Sequence, residues 1–125
     1  MKLIFKAVRA ILGPFLLLNE KLNQPQAMQR TAEAQAKVDA ACQNLALYQF
    51  NACPFCIKVR QEMRRLSLPI ALINAQQAQH KADLLNLGGS PKVPCLRLRR
   101  ADGKFDYMYE SKDIIAYLRK EFSAV

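Results

Sequence analysis

Residues 45–56 have the sequence LALYQFNACPFC, which joins an apolar run to a Cys-x-x-Cys pair. The apolar and aromatic run Leu45–Phe50, ending at Asn51, predicts a buried strand. Pro54 suits the first turn of a helix, because the N–H that proline lacks has no helical partner at that position. The stretch therefore predicts a buried strand that leads into a helix N-terminus, with the two cysteines at the junction.

The sequence after this junction alternates short apolar segments with turn residues. In chain order it predicts a helix from Pro54 with Val59, Met63 and Leu66 at helical spacing, a strand over 69–73, a helix over 76–87 stopped by Gly88-Gly89, strands over 95–99 and 104–109 joined by the turn Ala101-Asp102-Gly103, and a last helix capped by Ser111. The first strand–helix–strand unit predicts a parallel crossover, and the tight turn adds an antiparallel pair. The expected fold class is α/β, with the order β-α-β-α-β-β-α and a four-stranded mixed sheet flanked by helices.

The chain before Leu45 has a different composition. Residues 25–44 are rich in Ala and Gln, open with Pro25 and contain no Gly, which predicts a helix. We therefore divide the chain into an apolar and basic amphipathic segment over 1–20, an Ala- and Gln-rich helix over 21–44, and an α/β domain over 45–125.

The N-terminal segment combines basic and apolar residues. Lys2, Lys6, Arg9 and Gly13 fall on one stripe of a helix, and most of their neighbours are apolar. This pattern is typical of a helix that lies in an anionic membrane surface, and packing of residues 1–18 against the domain or a partner fits it equally. A secretory signal peptide is the third alternative, disfavoured because no small-x-small cleavage site is present. The apolar run over 10–18 is too short to span a bilayer.

Length, charge and cysteine content narrow the function class. The chain has 125 residues, 51% of them hydrophobic, and a formal net charge of +9, which indicates one globular domain that attracts an anionic partner. The positive charge is concentrated in residues 1–30, 51–66 and 81–100. Nucleic-acid binding is disfavoured, because no helix-turn-helix, zinc knuckle or stacking motif accompanies that charge. Four cysteines are too few for a disulfide-dense secreted scaffold.

The position of the Cys-x-x-Cys pair points to thiol chemistry. A thiolate on Cys53 would face unpaired backbone N–H groups and the positive end of the helix dipole, so we expect an exposed nucleophile of low pKa. Cys56, one turn into the helix, is expected to be shielded and to resolve a mixed disulfide. Lys58, Arg60 and Lys92 are candidates for adding positive potential.

Other roles for the cysteines fit the sequence less well. A zinc site needs further ligands, but Cys42 and Cys95 are isolated and His80, the only histidine, is expected on a helix surface. A purely structural disulfide is disfavoured because a bridge exposed at a helix start is easily reduced. Cys95 is expected to be a small buried strand residue, with a third redox thiol as the alternative.

Three motifs carry a resemblance to known families. LYQFNACPFC, KVPCL and YESKDIIAYL, in that order, resemble the signature regions of glutaredoxins and of the N-terminal domain of glutathione S-transferases, both of the thioredoxin-like fold. The resemblance covers 45–122 and implies a glutaredoxin-like domain over 45–125, with glutathione as its partner and co-substrate. It also implies a glutathione site formed by Phe55, Lys92, Val93, Pro94, Glu110 and Ser111.

The resemblance assigns individual roles to several of these residues. It implies a cis peptide bond before Pro94, pairing of the Val93 backbone with the cysteinyl part of glutathione, and binding of the γ-glutamyl end by Glu110 and Ser111. The chain departs from the glutaredoxin pattern in three places: Phe55 stands where Tyr is common, Phe50, Asn51 and Ala52 fill the places before Cys53 where a Lys is common, and Lys92 stands where Thr is usual. Glu110-Ser111 is closer to the transferase version, but no all-helical transferase domain follows before Val125, so a full transferase is disfavoured.

The sequence thus predicts a glutathione-dependent thiol–disulfide oxidoreductase with Cys53 and Cys56 as catalytic residues. Its expected protein partners are disulfide-bonded or glutathionylated proteins, no metal is expected in this interpretation, and the expected location is the cytoplasm, including the inner face of the membrane. Two alternatives stay open: a non-catalytic module that binds an iron–sulfur cluster, and a redox adaptor docked to a membrane through residues 1–18.

Overall fold

The computed structural model describes residues 13–22 and 24–123, and it contains the predicted order of elements. The helices are α1 (13–22), α2 (Ala32–Cys42), α3 (Pro54–Arg65), α4 (Ala78–Gly88) and α5 (Ser111–Phe122), and the strands are β1 (Leu45–Gln49), β2 (Ala71–Asn74), β3 (Cys95–Arg99) and β4 (Phe105–Tyr109). Most of the predicted basic stripe, at Lys2, Lys6 and Arg9, lies outside the described residues.

The four strands form one mixed sheet in the order β2-β1-β3-β4. β1 pairs in parallel with β2 across the α3 crossover, with Leu47 opposite Leu72. β1 pairs antiparallel with β3, and β3 pairs antiparallel with β4 across the hairpin. The predicted parallel crossover and antiparallel pair are both confirmed, and the fold is thioredoxin-like.

Strand β1 is buried along its whole length because both faces of the sheet are covered. Leu45 and Leu47 belong to the larger core, which β1 shares with α2, α3 and α5. Tyr48 points to the other face, where it packs with Leu84 of α4 and with Cys95. Successive side chains of this central strand therefore point into two separate cores, one on each face of the sheet. Neither face of β1 is exposed to water, which explains why LALYQ lacks the polar alternation of a half-exposed strand.

The helix predicted over 25–44 is shorter than expected. α2 begins at Ala32, where the Thr31 hydroxyl accepts a hydrogen bond from the Ala34 N–H at 3.1 Å. Residues 24–31 are not helical, because their polar groups bond to another part of the chain: the Met28 N–H donates to the Arg65 carbonyl at 2.8 Å. Helical continuation to Pro25 would break such contacts.

α2 is an integral part of the larger core. Val38 and Cys42 on its inner face are both buried there. The Arg30 guanidinium, just before the helix, donates to the Leu66 carbonyl and, at 2.8 Å, to the Phe122 carbonyl. These carbonyls lie at the C-terminal ends of α3 and α5, where a positive charge is favoured by the helix dipoles. The compositional boundary before Leu45 is therefore not a boundary in packing.

Two smaller corrections concern element ends. The strand predicted from Pro69 begins at Ala71, and Gly88, expected to stop a helix, is instead its last residue. Gly89 ends α4 in the left-handed conformation, with φ of 90°. An added Cβ on Gly88 would lie 2.3 Å from the Tyr109 hydroxyl, so this position needs glycine for close packing rather than for turning.

Candidate active site

The Cys-x-x-Cys pair begins α3, as predicted. Cys53 is the N-cap residue in extended conformation, its side chain makes no capping hydrogen bond, and Pro54 follows as the first helical residue. Cys53 is partly exposed, whereas Cys56 is fully buried. The N–H groups of the first turn therefore have no side-chain cap from this chain, and a thiol stands beside them.

The buried thiol of Cys56 is held in its protonated form. Burial is the main cause that raises the pKa of Cys56 to about 12, and a hydrogen bond to Cys53 raises that pKa further. A protonated Cys56 can donate this hydrogen bond to the sulfur of Cys53. The predicted difference in exposure between the two thiols is present, and their separate roles stay a prediction.

The two other cysteines are less able to react. Burial raises the pKa of Cys42 and that of Cys95 to about 11. Cys95 begins β3, where it is hydrogen-bonded to the Tyr109 side chain. All four cysteines are free thiols, and Cys53 alone among them has an accessible side chain.

A cavity of about 660 Å³ opens beside Cys53, and we call it the thiol cavity. Seven residues named from the sequence line it: Cys53, Phe55, Lys92, Val93, Pro94, Glu110 and Ser111. Cys56 lies behind them, buried in α3. Three motifs far apart in sequence therefore meet around one space, because the ends of α3, β3 and α5 lie at the same edge of the sheet.

The segment 91–94 forms one wall of the thiol cavity. The Val93–Pro94 peptide bond is cis, as the resemblance implied. The Tyr109 hydroxyl donates to the Ser90 carbonyl at 2.8 Å and so anchors this segment to β4. Burial raises the pKa of Tyr109 to about 12, which keeps its hydroxyl protonated as a donor.

The start of α5 forms another wall, but its cap differs from the prediction. Ser111 is the first helical residue, and the N-cap is Glu110, whose side chain makes no capping hydrogen bond. Glu110 has φ of 74°, a conformation that costs a non-glycine residue about 1–3 kcal/mol and is found most often at functional sites. The first turn of α5 therefore faces the cavity uncapped by a side chain, as does that of α3.

The three candidate cations have different surroundings. Lys92 is exposed and lines the thiol cavity, while Lys58 is exposed with its Nζ atom 5.6 Å from the centre of the Phe55 ring. Arg60 points away from solvent and donates to the carbonyls of Phe50, at 3.1 Å, and Asn51, at 2.6 Å. It also donates to the Gln49 side chain. Arg60 thus holds the loop that precedes Cys53.

Several lining residues were missed from the sequence. They are Gly13, Leu16, Phe50, Ala52, Gln76, Pro91 and Tyr109, together with Pro54, which was assigned only to the helix start. In the last motif Tyr109 directly precedes Glu110, so its position beside the cavity could have been predicted from the sequence. Gly13 and Leu16 carry no such signal, because their proximity arises only from the packing of α1.

Within 13–22 and 24–123 there is no group of three or more His, Cys, Asp or Glu side chains arranged to hold a metal ion. His80 lies on α4, partly exposed, as expected for a helix surface.

Comparison with known proteins gives one family match and two similar structures. The family model described as "Glutathione S-transferase, N-terminal domain" matches residues 47–125. Glutathione transferase Omega 3C from Trametes versicolor is similar in structure, with a TM-score of 0.51 and 23% identity over 77% of this chain. The similarity covers 42% of the Trametes chain, so the present chain spans less than half of that protein.

Oxidized glutaredoxin 2 from Chlamydomonas reinhardtii is a second similar structure. It has a TM-score of 0.47 and 20% identity, and the match covers 78% of this chain and all of the Chlamydomonas chain. No curated protein matches the chain at a significant level.

Proposed function

The chain belongs to the family of glutathione S-transferase N-terminal domains, and from this premise we propose that it is a glutathione-dependent thiol–disulfide oxidoreductase. The observation that carries the proposal is the pairing at the start of α3: an accessible Cys53 at an uncapped helix N-terminus, backed by the buried, protonated Cys56. A transferase that only binds glutathione has no need of a second thiol at that position. The pair favours disulfide exchange over simple conjugation.

The proposed substrate is a mixed disulfide between glutathione and another thiol. The Cys53 thiolate attacks the glutathione sulfur, which forms a Cys53–glutathione disulfide and releases the other thiolate to take a proton from water. A second glutathione thiolate then attacks the glutathione sulfur of that disulfide. This step yields oxidized glutathione and restores the Cys53 thiolate. The net reaction converts one mixed disulfide and one glutathione thiol into one free thiol and one oxidized glutathione.

Cys56 offers a second route to the same end. When Cys53 is in a mixed disulfide with a protein, Cys56 can lose its proton to water and attack the Cys53 sulfur, releasing the protein thiolate. The resulting Cys53–Cys56 disulfide is then reduced by two glutathione molecules. Because burial raises the pKa of Cys56 to about 12, this route is expected to become faster as the pH rises.

Glutathione is proposed to lie along the two walls made by 91–94 and the start of α5. The Val93 backbone would pair with its cysteinyl part, and Glu110 and Ser111 would bind its γ-glutamyl end, where the N-terminus of α5 favours a carboxylate. Phe55 and Lys92 border the same space, and Lys92 adds a positive charge for a peptide that is itself anionic. Disulfide-bonded or glutathionylated proteins are the proposed partners.

The test is reduction of a mixed disulfide of glutathione and 2-mercaptoethanol by the full chain, followed through oxidized glutathione. Cys53→Ser should reduce the rate to that of the uncatalysed reaction, since the serine hydroxyl is not ionised at neutral pH. Cys56→Ser should keep the glutathione route. Cys42→Ala is the matched control, because it removes a thiol buried in the larger core and should leave the rate within about twofold.

The proposal fails if Cys53→Ser, shown to be folded by circular dichroism, turns over the mixed disulfide as fast as the unchanged chain. The proposal would also be contradicted if Cys42→Ala lost as much activity as Cys53→Ser. The loss would then not be specific to a thiol in the cavity.

We further propose peripheral contact with an anionic membrane through α1. No helix among the described residues is long and apolar enough to cross a bilayer. α1 nevertheless exposes Phe15, Leu18 and Leu22 at helical spacing, with Phe15 66% and Leu22 74% exposed. The basic residues that precede this helix in sequence suit an anionic lipid surface.

Sedimentation with vesicles tests this contact. The full chain should sediment with vesicles that contain phosphatidylserine and remain in solution with phosphatidylcholine alone, and Phe15→Glu combined with Leu22→Glu should weaken sedimentation at least about tenfold. Leu87→Glu, an equally exposed leucine on α4, is the control and should have no effect. Equal sedimentation of the double variant would remove α1 from the contact.

A further inference from the structure

The helix α1 lies outside the residues 47–125 that define the family, yet it contributes to the thiol cavity. Gly13, Leu16 and Glu20 are spaced three and four residues apart, which places them on one face of the helix. Gly13 and Leu16 line the cavity. A Cβ added to Gly13 would lie 3.6 Å from the Cβ of Ala52, so this face packs directly on the loop before Cys53.

Glu20 fixes the far end of the same face. Its two carboxylate oxygens accept from Arg60, at 2.9 Å from Nε and 2.8 Å from Nη2. The two side chains are only 19% and 13% exposed, which makes this bidentate pair stronger than one on an open surface. Arg60 in turn donates to the carbonyls of Phe50 and Asn51, so α1 is tied to the segment that leads to the nucleophile.

We propose that α1 is a substrate-selecting wall of the thiol cavity, held in place by the Glu20–Arg60 pair. The inference rests on the proposed function and names its substrate class: mixed disulfides of glutathione with a small or extended thiol partner, in preference to a disulfide on the surface of a folded protein. With glutathione along 91–94 and the start of α5, the group on the other sulfur has to leave the cavity past Gly13 and Leu16. Both are apolar, so the favoured partner is slender and apolar next to its sulfur.

The direct test compares two substrates: the mixed disulfide of glutathione and 2-mercaptoethanol, and glutathionylated serum albumin. Leu16→Ala and Glu20→Gln should each raise the kcat/KM for albumin relative to that for the small disulfide by about tenfold, the scale of discrimination that a few methyl groups supply. The matched controls are Leu17→Ala, on the solvent side of the same helix, and Glu33→Gln, an exposed carboxylate in the first turn of α2. Neither control should change the ratio.

A second measurement does not depend on turnover. Cys53 is the accessible thiol, so the rate of native-state alkylation reports on it. The ratio of the rate with a maleimide attached to a long polyethylene glycol chain to that with N-ethylmaleimide should rise about tenfold in Leu16→Ala and in Glu20→Gln, and stay unchanged in Leu17→Ala and Glu33→Gln.

These outcomes separate the two proposals. If the alkylation ratio rises as expected while neither disulfide is reduced by any variant, the proposed function fails and the wall stands as a steric feature. If both disulfides are reduced but the substrate and alkylation ratios of Leu16→Ala and Glu20→Gln equal those of the unchanged chain, the wall is overturned and the proposed function stands. An equal fall of kcat/KM for both substrates, with no change in their ratio, would also overturn the proposed wall. The result would mean that α1 only supports the fold.

Discussion

The two ends of α3 are built for opposite purposes. At its N-terminal end, Cys53 makes no capping hydrogen bond and Phe55 is exposed. At its C-terminal end, the Arg65 and Leu66 carbonyls accept hydrogen bonds from the Met28 N–H and the Arg30 guanidinium. One end leaves its polar groups available to a ligand, and the other binds its own chain.

The difference shows where the fold stabilises itself and where it does not. Glu62, in the last turns of α3, accepts hydrogen bonds from Arg65, at 3.0 Å from Nε, and from Arg119 of α5, at 3.1 Å. This carboxylate joins two packed helices at the end of α3 that is farther from the thiol cavity. The thiol end is linked instead through Arg60, which pairs with Glu20 of α1 and donates to the loop before Cys53.

The largest effect on stability is expected from a substitution near the C-terminal end of α3. Glu62→Gln should lower the free energy of unfolding by about 2 kcal/mol, towards the lower part of the range for charged hydrogen bonds because both arginines are partly solvated. Denaturant titration measures this. The kcat/KM for the mixed disulfide should stay within about twofold of the unchanged chain, since the thiol end is untouched.

The same variant carries a pH signature. Burial alone raises the pKa of Glu62, but hydrogen bonds from Arg65 and Arg119 outweigh it and hold the pKa below its usual 4.5. A lowered pKa means that this contribution is complete well above pH 4.5 and is lost as the pH falls through the folded-state pKa. The stability difference between the two chains should therefore shrink in acid. Glu121→Gln, exposed on α5, is the control; a constant difference for Glu62→Gln would contradict the ion-pair account.

A smaller effect, of opposite sign, is expected at Glu110, which precedes α5 and lines the thiol cavity. Glu110→Gly removes the cost of φ at 74° and should raise the free energy of unfolding by about 1 kcal/mol. It should also raise the KM for glutathione, because the residue proposed to bind the γ-glutamyl group is gone. Denaturant titration and steady-state kinetics at varied glutathione give the two numbers.

Ser67→Gly is the matched variant just after the C-terminal end of α3. Ser67 also has a positive φ, of 54°, but its hydroxyl donates to the Met28 carbonyl at 2.8 Å. The relief of backbone strain raises the free energy of unfolding and the loss of this hydrogen bond lowers it, so the two effects should nearly cancel. The KM for glutathione should not change. If Glu110→Gly left the KM unchanged as well, the strained residue would have no part in binding.

Much of the fold could be predicted because local signals agree with it. The buried run Leu45–Gln49, Pro54 at the helix start and the turn at Gly103 each have one dominant structural interpretation, and together they determine the order of elements. The three motifs also predicted that Cys53, Val93 and Ser111 belong to one site. All three line the thiol cavity in the structure.

The incorrect predictions concern where elements begin and end. The helix expected from Pro25 starts at Ala32 because Met28 and Arg30 bond to α3 and α5 instead. Ser111 has the side chain of a good N-cap, yet the strained turn at Glu110 shifts the helix start by one residue.

The sequence alone determined the elements, their order, and the position of Cys53 at a helix start, since each depends on neighbours within a few residues. Only the tertiary structure decided that Tyr109 anchors the wall at Ser90 and that α1 borders the thiol cavity. Glu20 and Arg60 stand 40 residues apart in the chain. Their pairing is set by packing and solvent exclusion, and no local pattern encodes either.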